Sequence, residues 1–366
     1  MRFLTVRTQN FRNFPTMEVS FTAGAQFICG ANGQGKTNLL EALGLVTTLR
    51  SFRTSDVPSL INWKAQPREA VLVFEVEHER FGETQLEVHL RSGSKRVLLD
   101  GNPVRRLGQI IGDFPTITFS SQDIQILRGG PSLRRRLMDM MFVVMDPAYY
   151  DVLTRYYQAL KSRNALLKQR AVMAQRRVFD EALVREGRAL TELRRQLLAI
   201  YIPHVKVAYE GISGINESPE LVFQPSIDAG DMNSYESVFL ASQRRDEESG
   251  TTNKGPHRDD LDFRLLGHSA RDFASEGQQR GLVLALRMGL VDWYRQRGGT
   301  PPVILADDIV GELDTSRRSG FWRTLGADYQ IIATGTSLPR EDTFHQWTCW
   351  QMEQGVLSRS LLEGTG

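Results

Sequence analysis

The chain has 366 residues, 41% hydrophobic and 24% charged, with a formal net charge of +2. That length allows a large core and two domains or lobes, and the near-neutral balance neither demands nor forbids a polyanionic partner. Two cysteines, Cys29 and Cys349, cannot staple a fold of this size, and no run of about 18 apolar residues could span a membrane.

The N-terminus, MRFLTVRTQNF, reads as an amphipathic strand without the apolar core of a signal peptide, so a reducing, cytoplasmic location is expected. Phe3, Val6, Phe11 and Phe14 open a strand-rich stretch. Ala25 to Cys29 predicts a short buried strand, with Cys29 a small apolar residue at its end. A helix follows over 37–50, with Leu40, Leu43 and Val46 on one face. Residues 71–77 and 85–90 alternate apolar and polar, as half-buried strands do, and Leu98-Leu99-Asp100-Gly101-Asn102 carries a hairpin signal.

The character changes after Phe119. From Pro131 to about Tyr201 glycines are few and the periodic runs are helical. Residues 151–200 hold eleven Arg/Lys against five Asp/Glu. Arg163, Arg170 and Arg177 are seven apart, as are Leu183, Leu190 and Leu197, which predicts an arginine face and a leucine face on their helices. An antiparallel helical arm accounts for this, and so does the solvated surface of a packed lobe. Past the polar stretch 246–253 the α/β pattern resumes: a helix over 275–294 packing Leu282, Ala285, Leu286, Met288 and Gly289 inward, a strand over 302–306, a helix over 315–325 and a strand over 329–333. The expected organisation is one α/β domain, 1–119 and 251–366, split by a helical lobe over 120–250.

The run Gly30, Ala31, Asn32, Gly33, Gln34, Gly35, Lys36, Thr37 fits G-x-x-x-x-G-K-[ST], with Asn38 following. Its glycines allow backbone N–H groups to converge on an anion at a helix N-terminus. Lys36 then reaches the outer phosphates and the Thr37 hydroxyl ligates Mg²⁺. The bland alternative is a glycine-rich turn that binds nothing. An apolar strand ending in Asp307-Asp308 supplies a second half, Asp307 near the metal and Asp308 orienting or deprotonating water. Two solvated aspartates at a strand end are the plain alternative.

Ser275-Glu-Gly277-Gln278-Gln-Arg280 opens the helix before that strand, another anion-binding terminus or simply an N-cap. The order is phosphate loop, long insertion, S-x-G-Q-Q, strand with Asp-Asp, then Glu312-Leu313-Asp314. It is shared by ATP-binding-cassette heads, in which the S-x-G loop of one subunit closes over ATP held by another. Ser275 then acts in trans, ATP fastens two copies across a two-fold axis, and hydrolysis weakens the pair.

Several segments together resemble the RecF family of bacterial recombination mediators, relatives of the SMC heads. They are Asn10-Phe-Arg12-Asn13-Phe14, the extended loop GANGQGKTNLLEA, Phe119-Ser-Ser-Gln122-Asp-Ile124, Arg134-Arg-Arg-Leu-Met-Asp139, the segment 158–168, Gly255-Pro-His257-Arg258-Asp-Asp-Leu261 and Asp307-Asp308 to Asp314. The resemblance spans nearly the whole chain and implies an ABC-type P-loop ATPase head, a mixed sheet plus antiparallel strands, with an inserted helical lobe. It adds Arg12 and Asn13 to the ATP contacts and implies Gln122 beside Thr37 and Asp307 as a metal ligand. This sequence departs from the family at Phe52, where His is usual, and at Gln122, where Glu is usual. The last strand ends Thr334-Gly-Thr336 without the His of many cassette ATPases; either threonine is a candidate for the γ-phosphate. Slow ATP hydrolysis is expected.

The resemblance further implies an ATP-dependent homodimer on DNA, favouring duplex beside single-stranded gaps, and partnership with RecR and RecO in loading RecA. From the residues alone, Arg163, Arg170, Arg177, Arg185, Arg188 and Arg195 are candidates for a phosphate-facing groove read by shape and charge. A solvated arginine-rich surface is the alternative. A transporter's energising subunit and a P-loop small-molecule kinase are the competing functions. The long insertions, the absent His and the missing second Gly of L-S-G-G-Q oppose the first. A kinase would leave S-x-G-Q-Q idle.

Overall fold

Strands form where apolar and polar residues alternate most strictly. In the computed structural model, which describes residues 1–54, 56–309, 313–337 and 346–359, the chain begins with β1 (Arg2–Phe11), β2 (Phe14–Ser20), β3 (Ala25–Cys29) and α1 (Lys36–Thr48). Next come β4 (Glu69–His78), β5 (Gly82–Arg91), β6 (Ser94–Leu99), β7 (Asn102–Pro103) and β8 (Thr116–Ser120). The middle holds α2 (Gln125–Arg128), α3 (Pro131–Met145), α4 (Pro147–Lys168), α5 (Met173–Ser213), β9 (Glu220–Gln224), α6 (Met232–Ala241), α7 (Gln243–Ser249), β10 (Asp260–Leu265), β11 (His268–Ser269) and α8 (Ala270–Phe273). Last are α9 (Glu276–Arg297), β12 (Val303–Asp307), α10 (Thr315–Leu325), β13 (Ile331–Gly335), β14 (Trp347–Glu353) and β15 (Val356–Arg359).

The chain divides into two compact units, one of Met1–Ile124, His204–Asn216 and Ser275–Gly366, the other of Gln125–Pro203 and Glu217–Ala274. The chain returns to the first unit briefly at His204–Asn216 and then from Ser275 onward, against an expected boundary at 251. The intervening segment builds its own small sheet, β11-β10-β9, and stays with the helices.

The first unit contains an antiparallel sheet, β2-β1-β4-β5-β6-β7, and a mixed sheet, β15-β14-β3-β13-β12-β8. In the mixed sheet only β15 runs antiparallel to its neighbour. Strands β8, β12 and β13 are buried along their whole length, as parallel strands covered on both faces must be. Leu40, Leu43 and Val46 of α1 share one core with Leu72, Phe74, Leu86 and Val88 of the antiparallel sheet. Each such side chain contributes roughly 1.5–3 kcal/mol by burial. The β6–β7 hairpin turns at Asp100 and Gly101, both at positive φ (48° and 76°), and the Asp100 carboxylate accepts from the Thr84 hydroxyl at 2.7–2.8 Å.

In the second unit α4 and α5 run antiparallel, cross-linked by Tyr149–Arg194, Arg155–Glu186 and Arg163–Asp180. Leu183, Leu190 and Leu197 are buried, as their spacing predicts. The arginine repeat behaves otherwise. Helix α4 ends at Lys168, Arg170 sits in the reversal at φ 54°, and Arg177 lies on α5 paired with Glu181. A spacing of seven that crosses a chain reversal gives no common face. Arg163 is fully buried, bonded to Asp180 (2.5 Å), Asp246 (2.7 Å) and Thr252 (2.8 Å), so it cannot meet a DNA phosphate. Asp246, in the polar stretch 246–253, is likewise fully buried.

The Arg-rich segment at 134–139 and the Gly255–Leu261 segment prove to be two sides of one network. Arg134 grips Asp260 in a two-pronged pair, at 2.7 and 2.9 Å. Arg194 joins Asp139, Asp259 and the Tyr149 hydroxyl, all within 3.0 Å. Gly255 holds φ 126°, and a Cβ there would stand 2.5 Å from the Tyr156 hydroxyl. That hydroxyl lies 2.6 Å from Nδ1 of His257, whose Nε2 faces the Thr252 carbonyl at 2.9 Å. With Tyr156 donating, the imidazole is neutral and carries its proton on Nε2.

Burial lowers the His257 pKa from 6.5 to about 4. The unfolded chain therefore binds the extra proton first, and stability present above pH 6.5 is lost as pH falls toward 4. The loss amounts to about 3 kcal/mol. Urea midpoints measured across that window should slope in the wild type and flatten in His257→Gln, whose amide reproduces one acceptor and one donor. Equal slopes in both proteins would reject the assignment.

Candidate functional site: a phosphate loop and an aspartate pair

Parallel pairing of β3, β13, β12 and β8 brings their C-terminal ends to one edge of the sheet, with Asp307 opposite both Thr334 and Ser120. Ligand sites of open α/β sheets form at such edges. From β3 the chain turns through Gly30, Ala31, Asn32, Gly33 and Gln34 into α1, with Gly35 at φ 115°. A Cβ on Gly35 would meet the Asn13 amide at 2.9 Å and the Phe14 ring at 3.0 Å. The loop is backed by the β14–β15 turn, where Gly355 N donates to the Gln34 carbonyl (3.0 Å) and Gln354 N to its side-chain oxygen (2.6 Å). Lys36 is nearly buried, its ammonium donating to the Gly30 (2.6 Å) and Ala31 (2.9 Å) carbonyls. It lies folded into the cradle it would leave for a phosphate.

The Thr37 hydroxyl donates to Asp307 Oδ1 at 2.9 Å across 270 positions of sequence. Thr334 donates to the same oxygen at 3.0 Å. Burial pushes the Asp307 pKa up, against the pull of those two hydroxyls. Thr334 is fully buried with its proton committed to Asp307, so the threonine expected on the γ-phosphate instead orients the carboxylate. Thr336, the other candidate, is exposed. Asp308 is exposed at φ 54°, its N–H held 3.2 Å from the Thr334 carbonyl. Left-handed backbone at a non-glycine residue costs on the order of 1 kcal/mol and turns this second carboxylate out of the strand's alternation.

Arg12 and Asn13 stand beside the loop. Asn13 accepts from the Asn38 amide at 2.7 Å. Arg12 makes a two-pronged pair with Glu41, 2.7 Å on each side, and reaches the Ser59 carbonyl at 2.8 Å. Glu41, on α1, is fully buried and also bonds Ser51 and Arg53 (3.3 Å). Arg53 in turn donates to Asn38 at 2.9 Å. Glu41 and Arg53 escaped the sequence reading; the one available signal was an acidic residue on the inward face of the loop's own helix.

Ser275 caps α9 in a capping box: its hydroxyl accepts from Gln278 N (3.3 Å), and the Gln278 side chain accepts from Ser275 N (2.7 Å). Ser275 is exposed and Gln278 is committed to the cap. At Gly277 a Cβ would lie 2.6 Å from Arg317, whose guanidinium is paired with Asp314 at 2.6 Å. Glycine there leaves room for an arginine that motif reading did not single out. Gln122 is exposed in the turn Ser121–Ile124, which is tied to α9 by Asp123–Arg287 at 2.9 Å. Glu312 lies outside the described residues.

Thr37 and Asp307 thus present one hydroxyl and one carboxylate, hard oxygen donors of the kind that hold Mg²⁺ together with water and substrate phosphates. No cluster of three or more His, Cys, Asp or Glu able to hold a metal occurs among the described residues. No helix among them is long and apolar enough to cross a membrane.

The model of the RecF/RecN/SMC N-terminal domain family matches residues 3–346. The chain is 33% identical to the DNA replication and repair protein RecF of Microcystis aeruginosa, covering 90% of this chain and 92% of the relative. It is 35% identical to the protein of that name from Geobacter metallireducens, covering 91% and 92%. A solved recombination mediator protein RecF with ATP superposes at a TM-score of 0.86 and 28% identity, over 98% of this chain and 97% of the other. An SMC head shares the fold at a TM-score of 0.53 and 13% identity, over 98% of both chains.

Proposed function

This chain belongs to the RecF family within the RecF/RecN/SMC group, and we propose from there that it is an ATP-dependent DNA-binding protein of DNA replication and repair. ATP is bound at Gly30–Asn38, which the ATP-bound relative supports. Thr37 and Asp307, with Gln122 as a further candidate ligand, would hold Mg²⁺. The observation that carries the reading is the Thr37–Asp307–Thr334 triad, which joins the phosphate loop to the aspartate strand.

The bound ion would offset phosphate charge. On binding, the Lys36 ammonium exchanges two carbonyls for phosphate oxygens, a charge-assisted and stronger contact. Asp307 loses the penalty of its burial once a cation stands beside it. Asp308 accepts the proton of an attacking water. It is a short carboxylate, and the strand end Thr334-Gly-Thr336 carries no histidine, so hydrolysis is slow. Ser275 and Gly277 close over the nucleotide of a second copy, so that the dimer forms with ATP and loosens after hydrolysis. Assembly takes place on gapped or junction DNA, and RecR and RecO then load RecA. The named relatives favour this over a transporter subunit or a kinase.

Sizing by light scattering with Mg-ATP, with and without gapped duplex, tests the proposal. A monomer-to-dimer shift on Mg-ATP, trapped by cross-linking Ser275→Cys to a cysteine in the facing phosphate loop, is expected. A chain that stays monomeric under every condition would reject it.

A further inference from the structure

The hairpin of β14 and β15 turns in two residues. Glu353 pairs with Val356, leaving Gln354 and Gly355 between them, both at positive φ (48° and 81°). A two-residue turn of that hand leaves the N–H groups of its central residues outside the strand ladder, so each needs an acceptor from elsewhere. Both find it on one residue of the phosphate loop. Gly355 N–H donates to the Gln34 carbonyl at 3.0 Å, and Gln354 N–H to the Gln34 side-chain oxygen at 2.6 Å. The Asn13 amide reaches the same carbonyl at 3.5 Å. At the start of the loop Gly30 passes so close to β14 that a Cβ on it would stand 2.5 Å from the Met352 carbonyl.

We propose that the Gln354–Gly355 turn is a clasp that presets the phosphate loop for a diphosphate, with Gln34 as its positioning residue. The peptide plane supplies the mechanism. In a trans peptide the carbonyl and the N–H that follows it point to opposite sides. Fixing the Gln34 carbonyl against the hairpin therefore turns the Gly35 N–H the other way, toward the side on which backbone donors gather around the α- and β-phosphates. Gly35, at φ 115°, has no side chain to resist turning that peptide over, so the anchor has to come from outside the loop. A donor aimed beforehand removes its ordering cost from binding. It serves the phosphates that ATP and ADP share. The inference rests on the ATP-binding reading above and gives a task to Gln34, a position the loop motif leaves open. The competing explanation is a plain fold contact, in which the turn satisfies its own donors and the loop's affinity is untouched.

The test compares wild type with two variants of the full chain. Gln34→Met keeps the side-chain length and removes the acceptor. Gly355→Ala adds a Cβ that would meet the Phe14 ring at 3.2 Å and press the turn off the loop. The probes are N-methylanthraniloyl ATP and ADP with Mg²⁺, titrated by fluorescence, alongside steady-state ATP hydrolysis and thermal midpoints without nucleotide. Both dissociation constants should rise by the same factor, roughly three- to tenfold for Gln34→Met. In hydrolysis the loss should fall on KM rather than on kcat, and the Gln34→Met midpoint should not move. Should Gly355→Ala fail to fold, Gln34→Met decides alone. A lower midpoint with unchanged dissociation constants would make the turn a fold contact and overturn the clasp, as would a loss confined to the ATP analogue. Wild type that binds neither analogue overturns the ATP-binding reading, and the clasp with it.

Discussion

Lys36→Met is expected to abolish Mg-ATP-dependent dimerisation while leaving the apo chain folded. Among the described residues the ammonium donates to the Gly30 and Ala31 carbonyls, and a methionine of similar length fills the same nearly buried channel. What would be lost is a charge-assisted contact to phosphate from a nearly buried ammonium, about 2–3 kcal/mol, or on the order of a hundredfold in nucleotide affinity. In the proposed symmetric pair, which takes two occupied loops, the loss would count twice. Calorimetric titration of Mg-ATP and light scattering, with the thermal midpoint as fold control, measure both parts. Dimers of normal stability in Lys36→Met would mean that the loop is not where nucleotide and assembly are coupled.

The second large effect falls outside the nucleotide site. Arg194→Met should destabilise the chain by about 3–5 kcal/mol, since it strands two carboxylates that have no water to turn to. Asp259 is fully buried, Asp139 nearly so, and Arg194 bonds both. Burial already pushes the Asp259 pKa up, and removing the guanidinium withdraws the main opposing charge. Adding Asp139→Asn and Asp259→Asn should recover part of the loss, because amides need no counterion. Denaturant unfolding of the single and triple variants decides the matter: a cost under about 1 kcal/mol would show the network to be dispensable.

Local features were legible in the sequence and paired ones were not. The phosphate loop, its helix and the buried strands are written in consecutive residues, so pattern alone locates them. The aspartate strand was found because an apolar run before Asp307-Asp308 is also local. The partners of charges are different, for they are set by topology. Arg163 reads as solvent-facing from its spacing, yet three polar groups from distant segments surround it. The stretch 246–253 reads only as polar, because nothing local reveals that Asp246 will be drawn inward. Thr334 shows the same limit on a smaller scale. Its hydroxyl reads from the sequence as a candidate for the γ-phosphate, yet it donates to Asp307, a contact that depends on β13 lying beside β12.

Strand order has a consequence for biosynthesis. The strand that launches the phosphate loop, β3, is flanked by β13 and β14, both from beyond residue 330. A nascent polypeptide emerging from the ribosome would therefore expose its most recognisable nucleotide motif long before any pocket exists to hold a ligand. Products that terminate before β14 would lack a strand that flanks the phosphate loop's own strand.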